Sequence, residues 1–260
     1  MMEIKAFGIY IEKEIELGDS IVDLIINNLE ELNIEDNDII MITHKIVSKA
    51  EGREIPIDSI NVSEEALALA KTLNRVPELV QLMLDESKNI IWAKNGGPLL
   101  LEHKSGVVCA NAGVDLSNCI KDHAICLPID SDKSADKIRR DVLGKLGKKV
   151  AVGICDSQGR PYRNGSIGVL LGSSGLQRLK SYVGTKDRND RTMQSSVEAV
   201  GDEFSSMANL IMGQGVESIP VVVIRGMQEL VMDDTGCMIR DSDSDIFLRE
   251  IKERYNEKQV

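Results

Sequence analysis

Apolar and polar residues alternate over residues 3–10, the period of a strand with one buried face. Gly18, Asp19 and Ser20 break the alternation, and IVDLIINNLEELN, from Ile21, has the spacing of a helix. Asp36 to Thr43 (DNDIIMIT) reads as a turn followed by a buried strand. HKIVSKAEG, from His44, has helix-start character and ends at Gly52. SEEALALAKTLN and PELVQLMLDES predict amphipathic helices, with Ser63 and Pro77 at positions suited to helix N-termini. NIIWA, PLLLEH and GVVCANAG predict strands separated by Gly and Asn turns. Ser134 to Leu146 predicts a helix, and KKVAVGICD a strand that ends in Asp156. GSIGVLLGSSG is apolar and glycine-rich, which implies close backbone packing. TMQSSVEAVGDEFSSMANLIMG predicts one long helix closed by Gly213, IPVVVIRGM a buried strand, and DSDSDIFLREIKERYNEKQV a terminal helix. Strands and helices mix without a clean βαβ repeat. The fold class expected is therefore α/β (mixed α+β), one domain over 1–260 with two intertwined lobes and a candidate division near 130–150.

Composition narrows the function. At 260 residues the chain can bury a sizeable core, and with 3% aromatic residues that core must be aliphatic. The net charge of -11, with no Lys/Arg stripe, disfavours nucleic acid and makes any clustered cations informative. Five cysteines, an odd number without a C-x-x-C pair, suit a reducing compartment. The three histidines do not pair with them at zinc spacing. No signal peptide or apolar run of membrane-spanning length is visible, so a cytoplasmic protein without membrane attachment is expected.

Standard nucleotide signatures are missing. There is no G-x-x-x-x-G-K-S/T phosphate loop, and Gly213-Gln214-Gly215 follows a predicted helix rather than a strand, which excludes a dinucleotide fingerprint. Two carboxylates, Asp115 and Asp156, each follow an apolar strand. Oxygen donors held at a sheet rim suit Mg²⁺ or Mn²⁺, although aspartates also cap turns commonly. Asn111, Ser117 and Asn118 crowd Asp115, and Ser157 follows Asp156. Lys45 and Lys49 are four apart and share a helix face just after a buried strand, near helix N–H groups that favour anions; a solvated basic face is the alternative. Arg160 and Arg163, in Gly159 to Gly165, suit a carboxylate or phosphate substrate, or else a surface turn paired to local acids. The glycines of Met212 to Pro220 allow close backbone approach or a bare turn.

Together ITHKIVSKAEGR, VVCANAGVDLSN, CDSQGRPYRNGSIG and ANLIMGQGVESIPVVVIRG resemble, in order and spacing, the coenzyme F420-0:gamma-glutamyl ligase family, as does the opening FGIYIEKEIELGDSIVDLI. The resemblance runs from about residue 5 to about residue 230. It implies a family-specific mixed fold, an intimate homodimer, and a reaction that joins L-glutamate to a deazaflavin coenzyme F420 precursor with GTP and Mg²⁺ or Mn²⁺, K⁺ being a further candidate. It implies that Asp115 and Asp156 hold one metal and that Ser157 and Gln214 stand where a second is held. Glu12, Lys13, Glu14, Ile15, His44, Lys45, Lys49, Asn118 and Met212, Gly213, Gln214, Gly215, Val216, Glu217, Ser218 and Ile219 would face GTP. Asp115, Asp156, Lys49 and Arg160 or Arg163 would serve catalysis. The chain departs from the family pattern at Ser157-Gln158, where Thr-Phe is usual, at Gln214, where an acid is common, and at Tyr162, where Trp is common. These departures leave open a paralogous nucleotide-dependent ligase for another acid. A nucleotide-binding module without catalysis and a plain interaction protein are the alternatives from other classes.

Overall fold

A computed structural model describes residues 3–234, 236–241 and 244–257. In chain order the elements are β1 (Lys5–Ile9), α1 (Ile21–Asn27), β2 (Ile39–Thr43), α2 (His44–Ala50), β3 (Glu54–Pro56), α3 (Glu64–Leu73) and α4 (Pro77–Asp85). Then come β4 (Ser87–Trp92), β5 (Leu100–His103), β6 (Val108–Ala110), β7 (His123–Ile125), α5 (Ser131–Leu146), β8 (Ala151–Arg160) and β9 (Arg163–Ser174). The chain closes with β10 (Lys180–Ser181), β11 (Val197–Glu198), α6 (Val200–Met212), β12 (Val221–Arg225) and α7 (Ile246–Glu257). They are mixed α/β, as expected, and form two compact units, Met1–Ala50 with Asp130–Met238 and Glu51–Ile129 with Ile239–Val260.

The first unit is built on a five-stranded sheet of order β1-β12-β2-β8-β9. Only the β2–β8 pair is parallel. Alternation along the strands sorts their side chains. Ile40, Ile42, Val152, Ile154, Val221 and Val223 pack with residues of α1, α2 and α5. Ile39, Met41, Cys155, Leu170, Val222 and Ile224 pack with Val200, Phe204 and Ala208 of α6. Both faces are covered, which is why β2 and β12 read as continuous apolar runs.

The glycines of β9 let helices approach. A Cβ on Gly168 would lie 2.2 Å from the Ser205 carbonyl oxygen, and one on Gly172 would lie 2.5 Å from the Ser131 carbonyl carbon. Gly168→Ala is therefore expected to cost about 1–3 kcal/mol through overpacking and to shift α6, measurable as a lower midpoint in urea unfolding. An unchanged midpoint would show that α6 retreats freely.

Several boundaries differ from the periodicity. The helix predicted to reach Asn33 stops at Asn27, because Asn28 Nδ2 donates to the Leu24 carbonyl at 2.8 Å and Glu30 turns left-handed. The helix predicted from Thr192 begins at Val200, since Val197–Glu198 pairs with Lys180–Ser181 as a ribbon. Asp130, not a residue beside Ser134, caps α5 by accepting from the Lys133 N–H at 3.0 Å. The strand expected to end at Asp156 runs to Arg160, because pairing with β9 continues as far as Arg160↔Arg163 across a tight Pro161-Tyr162 turn. The predicted terminal helix is α7; residues 242, 243 and 258–260 of that prediction lie outside the described residues.

In the second unit α3 and α4 lie with the antiparallel sheet β4-β5-β6 and the β3–β7 ribbon. Leu73, Leu82, Leu99, Leu101, Ala112, Val114, Ala124 and Cys126 form its core. The predicted strand through ANAG ends at Ala110. Asn111, Ala112 and Gly113 are all left-handed, and a Cβ on Gly113 would lie 2.5 Å from Leu127 Cγ. Among the described residues no helix is long and apolar enough to cross a membrane.

Candidate functional site

The register of the five-stranded sheet brings several chain segments to one rim. Ile9 pairs with Val221, Val221 with Ile42, and Thr43 with Cys155. The ends of β1 and β2 and the start of β12 thus lie along one edge, level with the point where β8 leaves β2. Two backbone bonds tie the connecting segments there, from the Ile11 N–H to the Ser218 carbonyl at 2.8 Å and from the Thr43 N–H to the Pro220 carbonyl at 2.9 Å.

Asp156 is the first residue of β8 beyond β2. It is not strand-terminal, but the flank that β2 vacates is taken by α2, whose first residue, His44, is 1% exposed. The His44 Nε2 atom lies 3.5 Å from Asp156 Oδ1, and Nδ1 lies 3.4 Å from Ser48 Oγ. A proton on Nε2, facing the carboxylate, leaves Nδ1 to accept from the Ser48 hydroxyl. The imidazole thereby aligns Asp156, whose Oδ1 also accepts the Ser157 N–H at 2.7 Å. Beside it, the Cys155 thiol is pushed up to about 12 by burial and by the Asp156 charge, so it stays protonated and inert.

Ser157 lies on the opposite face of β8. Its hydroxyl donates to Gln214 Oε1 at 3.0 Å. Gln214 Nε2 donates to Asn209 Oδ1 at 2.7 Å and to the Gly213 carbonyl at 3.0 Å, which fixes the amide oxygen toward Ser157. Asn209, in the last turn of α6, was not singled out in the sequence; its only signal is a position five residues before Gln214. Asp156, Ser157 and Gln214 offer carboxylate, hydroxyl and amide oxygens with no Cys or imidazole donor in the set. Such hard donors suit Mg²⁺ or Mn²⁺, ions that keep several water or phosphate oxygens. The alternation of β8 puts Asp156 and the Ser157–Gln214 pair on opposite faces of the strand. Among the described residues no group of three or more His, Cys, Asp and Glu gathers to cage a metal.

Lys49, on α2 and 7% exposed, pairs with Glu14 from the segment after β1. Lys45 lies four residues before it on the same helix. Lys13 reaches Asp19 at 2.7 Å, and the hydrogen bond from Lys13 is the main reason the Asp19 carboxyl sits below its ordinary range. Ile15 is buried in the core and Glu12 is exposed. After Met212 ends α6, Gly213 and Ser218 are left-handed. The Glu217 carboxylate fills the turn between them, accepting the Gly215 N–H at 2.7 Å. Its own backbone N–H and that of Gly215 hold its pKa below the ordinary value. A cradle of backbone N–H groups that stabilises a carboxylate can stabilise a phosphate as well. Val216 is 94% exposed, and Ile219 packs on the α6 side of the core. Arg160 donates to the Gly165 carbonyl at 3.1 Å across the β8–β9 hairpin.

Asp115 and Asn118 belong to the second unit. Asp115 bridges Ile125 through two backbone bonds, of 3.0 and 2.8 Å, rather than closing a strand. Its side chain accepts the Ser117 N–H at 2.9 Å and the Ser117 hydroxyl at 2.8 Å. Asn118 is left-handed.

Comparison with known proteins shows the family. The family model of F420-0:Gamma-glutamyl ligase matches residues 10–226. The chain belongs to the F420-0:gamma-glutamyl ligase family. This family member is 44% identical over 225 residues to the coenzyme F420:L-glutamate ligase of Methanocaldococcus jannaschii, covering 85% of this chain and 90% of that one. It is 35% identical over 251 residues to the protein of the same name from Archaeoglobus fulgidus, covering 96% and 99%. It is 37% identical over 244 residues to that of Methanopyrus kandleri, covering 91% and 94%. The rim segments, 10–15, 44–49, 156–157 and 213–220, all fall inside the matched stretch of this gamma-glutamyl ligase family chain.

Proposed function

We propose that the chain is a ligase that joins L-glutamate to the deazaflavin coenzyme F420 precursor, using GTP, Mg²⁺ or Mn²⁺ and an acyl phosphate intermediate. The observation that carries the reading is the family match over residues 10–226, within which the rim groups of the first unit converge. Relatives at 34% to 44% identity bear the name coenzyme F420:L-glutamate ligase.

A carboxylate is a poor electrophile. In the proposed first step an oxygen of the precursor carboxylate attacks the γ-phosphorus, the bond to the β–γ bridging oxygen breaks, and GDP leaves. In the second the glutamate amine attacks the acyl carbon, the C–O bond to phosphate breaks, inorganic phosphate leaves, and the nitrogen loses a proton. Divalent metal, when bound, neutralises phosphate oxygens and holds the groups in line. Asp156, aligned by His44, would hold one ion, and Ser157 with Gln214 a second. Lys49 and Lys45 supply positive charge against the net -11 of the chain. Lys49 is already immobilised by Glu14, so little side-chain entropy remains to be lost on binding. The 213–219 turn offers N–H groups to phosphate once the Glu217 carboxylate moves aside. A homodimer is part of the proposal and is tested by sedimentation.

The decisive assay mixes the chain with the F420 precursor, labelled with ¹⁸O in its carboxylate, GTP, L-glutamate and MnCl₂. The expected result is a glutamylated product, one GDP per product, and one ¹⁸O in the released phosphate. Product without label in phosphate removes the acyl phosphate, equal turnover with ATP removes the GTP preference, and no product removes the reading. Asp115→Asn is expected to raise the Mn²⁺ concentration needed for half-maximal rate at least tenfold, and an unaltered Mn²⁺ dependence would exclude Asp115 as a ligand.

A further inference from the structure

We propose that Gln158 recognises the acid substrate, its side-chain amide donating a hydrogen bond to a carboxylate oxygen of the acid that the nucleotide activates. This rests on the ligase reading above. Alternation along β8 sets Gln158 on the same face as Asp156. Their β9 partners, Ile167 and Val169, alternate with Gly168, the partner of Ser157, and a Cβ on Gly168 would run into α6. Gln158 therefore stands one strand repeat, about 7 Å, beyond Asp156 on the face that His44 shares.

The Gln158 Nε2 atom is buried and has no hydrogen-bond partner among the described residues. Buried donors without acceptors are rare, and each calls for a reason. Only one other buried side-chain polar atom among the described residues is in this condition, His103 Nε2, which has the Glu86 carboxylate 3.7 Å away to answer its charge. Gln158 has no such answer among the described residues. Its environment and its place beside the proposed cation ligand point to an acceptor brought by the substrate.

The chemistry selects which acceptor. The attacking amine needs its nitrogen lone pair free to reach the acyl carbon, so an N–H donor bonded to it would block the step. The carboxylate to be activated must sit within reach of the γ-phosphate, hence next to the groups that hold the nucleotide. A neutral amide can bind the oxygen of that carboxylate that does not attack without blunting the other. The same oxygen remains an acceptor in the acyl phosphate and gains charge as the amine adds. Gln158 thus acts on the acid and not on the nucleotide, and the effects of its replacement should divide accordingly.

The test is steady-state kinetics of wild type, Gln158→Leu and Gln158→Glu with the F420 precursor, GTP, L-glutamate and MnCl₂, together with thermal unfolding. In Gln158→Leu kcat/KM for the precursor should fall on the order of tenfold to a hundredfold, with KM for GTP within about twofold and no loss of Tm. Gln158→Glu, which offers only acceptors, should fall further. A wild type that forms product with Gln158→Leu unchanged toward the precursor overturns this inference and leaves the ligase reading standing. A parallel loss of Tm and of both KM values overturns it as well, because a packing role would do that. A wild type that forms no product removes both.

Discussion

Replacing Asp156 by asparagine is expected to lower kcat/KM on the order of a thousandfold while the fold survives. The carboxylate is the one formal negative charge among the rim oxygens proposed to hold metal. The other two, the Ser157 hydroxyl and the Gln214 amide, are neutral and serve one another at 3.0 Å. Asparagine keeps the size and an oxygen able to accept the Ser157 N–H, so β8 has no reason to move. What disappears is the charge that draws a divalent cation to this edge of a sheet, and electrostatic groups of that kind commonly contribute several kcal/mol to a transition state. His44→Ala should act in the same direction but less, by about tenfold to a hundredfold, since it only aligns the carboxylate. The measurement is initial rate against Mn²⁺ concentration, with circular dichroism and Tm as controls. An Asp156→Asn protein that keeps more than a tenth of wild-type activity at saturating Mn²⁺ would remove Asp156 from the cation site.

Asp156 was singled out in the sequence; how it is held was not legible there. The apolar run before it announced a strand, but the strand's continuation to Arg160 depends on pairing with β9 and not on local residues. Its apparent end is where β2, the parallel neighbour, stops at Thr43. Such an event belongs to the partner strand and cannot be read from KKVAVGICD itself. The apolar patterns of β2 and β12 were legible because both faces of the sheet are covered there, so burial was written into consecutive residues. Apparent helical patterns failed at 28–33 and 192–199, where Asn28 ends one helix by a side-chain bond and Val197–Glu198 is held by a strand 16 or more residues away. The cradle around Glu217 was visible as glycines, but not that the loop's own carboxylate fills it.

The charged cluster of the second unit was wholly invisible, because Arg53, Glu86 and His103 are joined by the fold and not by spacing. Glu86 is 8% exposed at the end of α4; its Oε2 accepts Arg53 Nη2 and faces His103 Nε2 at 3.7 Å, and Lys104 Nζ stands 3.9 Å from Oε1. Arg53 also donates to the Leu127 carbonyl at 3.1 Å, and its own carbonyl accepts the Cys126 N–H at 3.0 Å. Segments at 53, 86, 103 and 126–127 therefore meet at one carboxylate. Burial alone would push the Glu86 carboxyl up, but His103, Arg53 and Lys104 outweigh it and hold the carboxyl below the usual glutamate value.

Glu86→Gln leaves the Arg53 charge buried without its partner, which typically costs about 3–5 kcal/mol. The loss should appear at neutral pH as faster hydrogen exchange across α4 and β5. The pH dependence follows from the direction of the shift. A carboxyl whose folded pKa is depressed contributes stability that is fully present above its unfolded value of 4.5 and is lost as pH falls through the lower folded value. Wild type and Glu86→Gln should therefore differ most above pH 4.5 and converge below it. Adding Arg53→Met to Glu86→Gln should recover much of the loss, since a buried ion pair replaced on both sides is often near neutral where a half-pair is not. If Glu86→Gln costs less than about 1 kcal/mol, the cluster is worth no more than a surface pair, and the second unit is held by its aliphatic core alone.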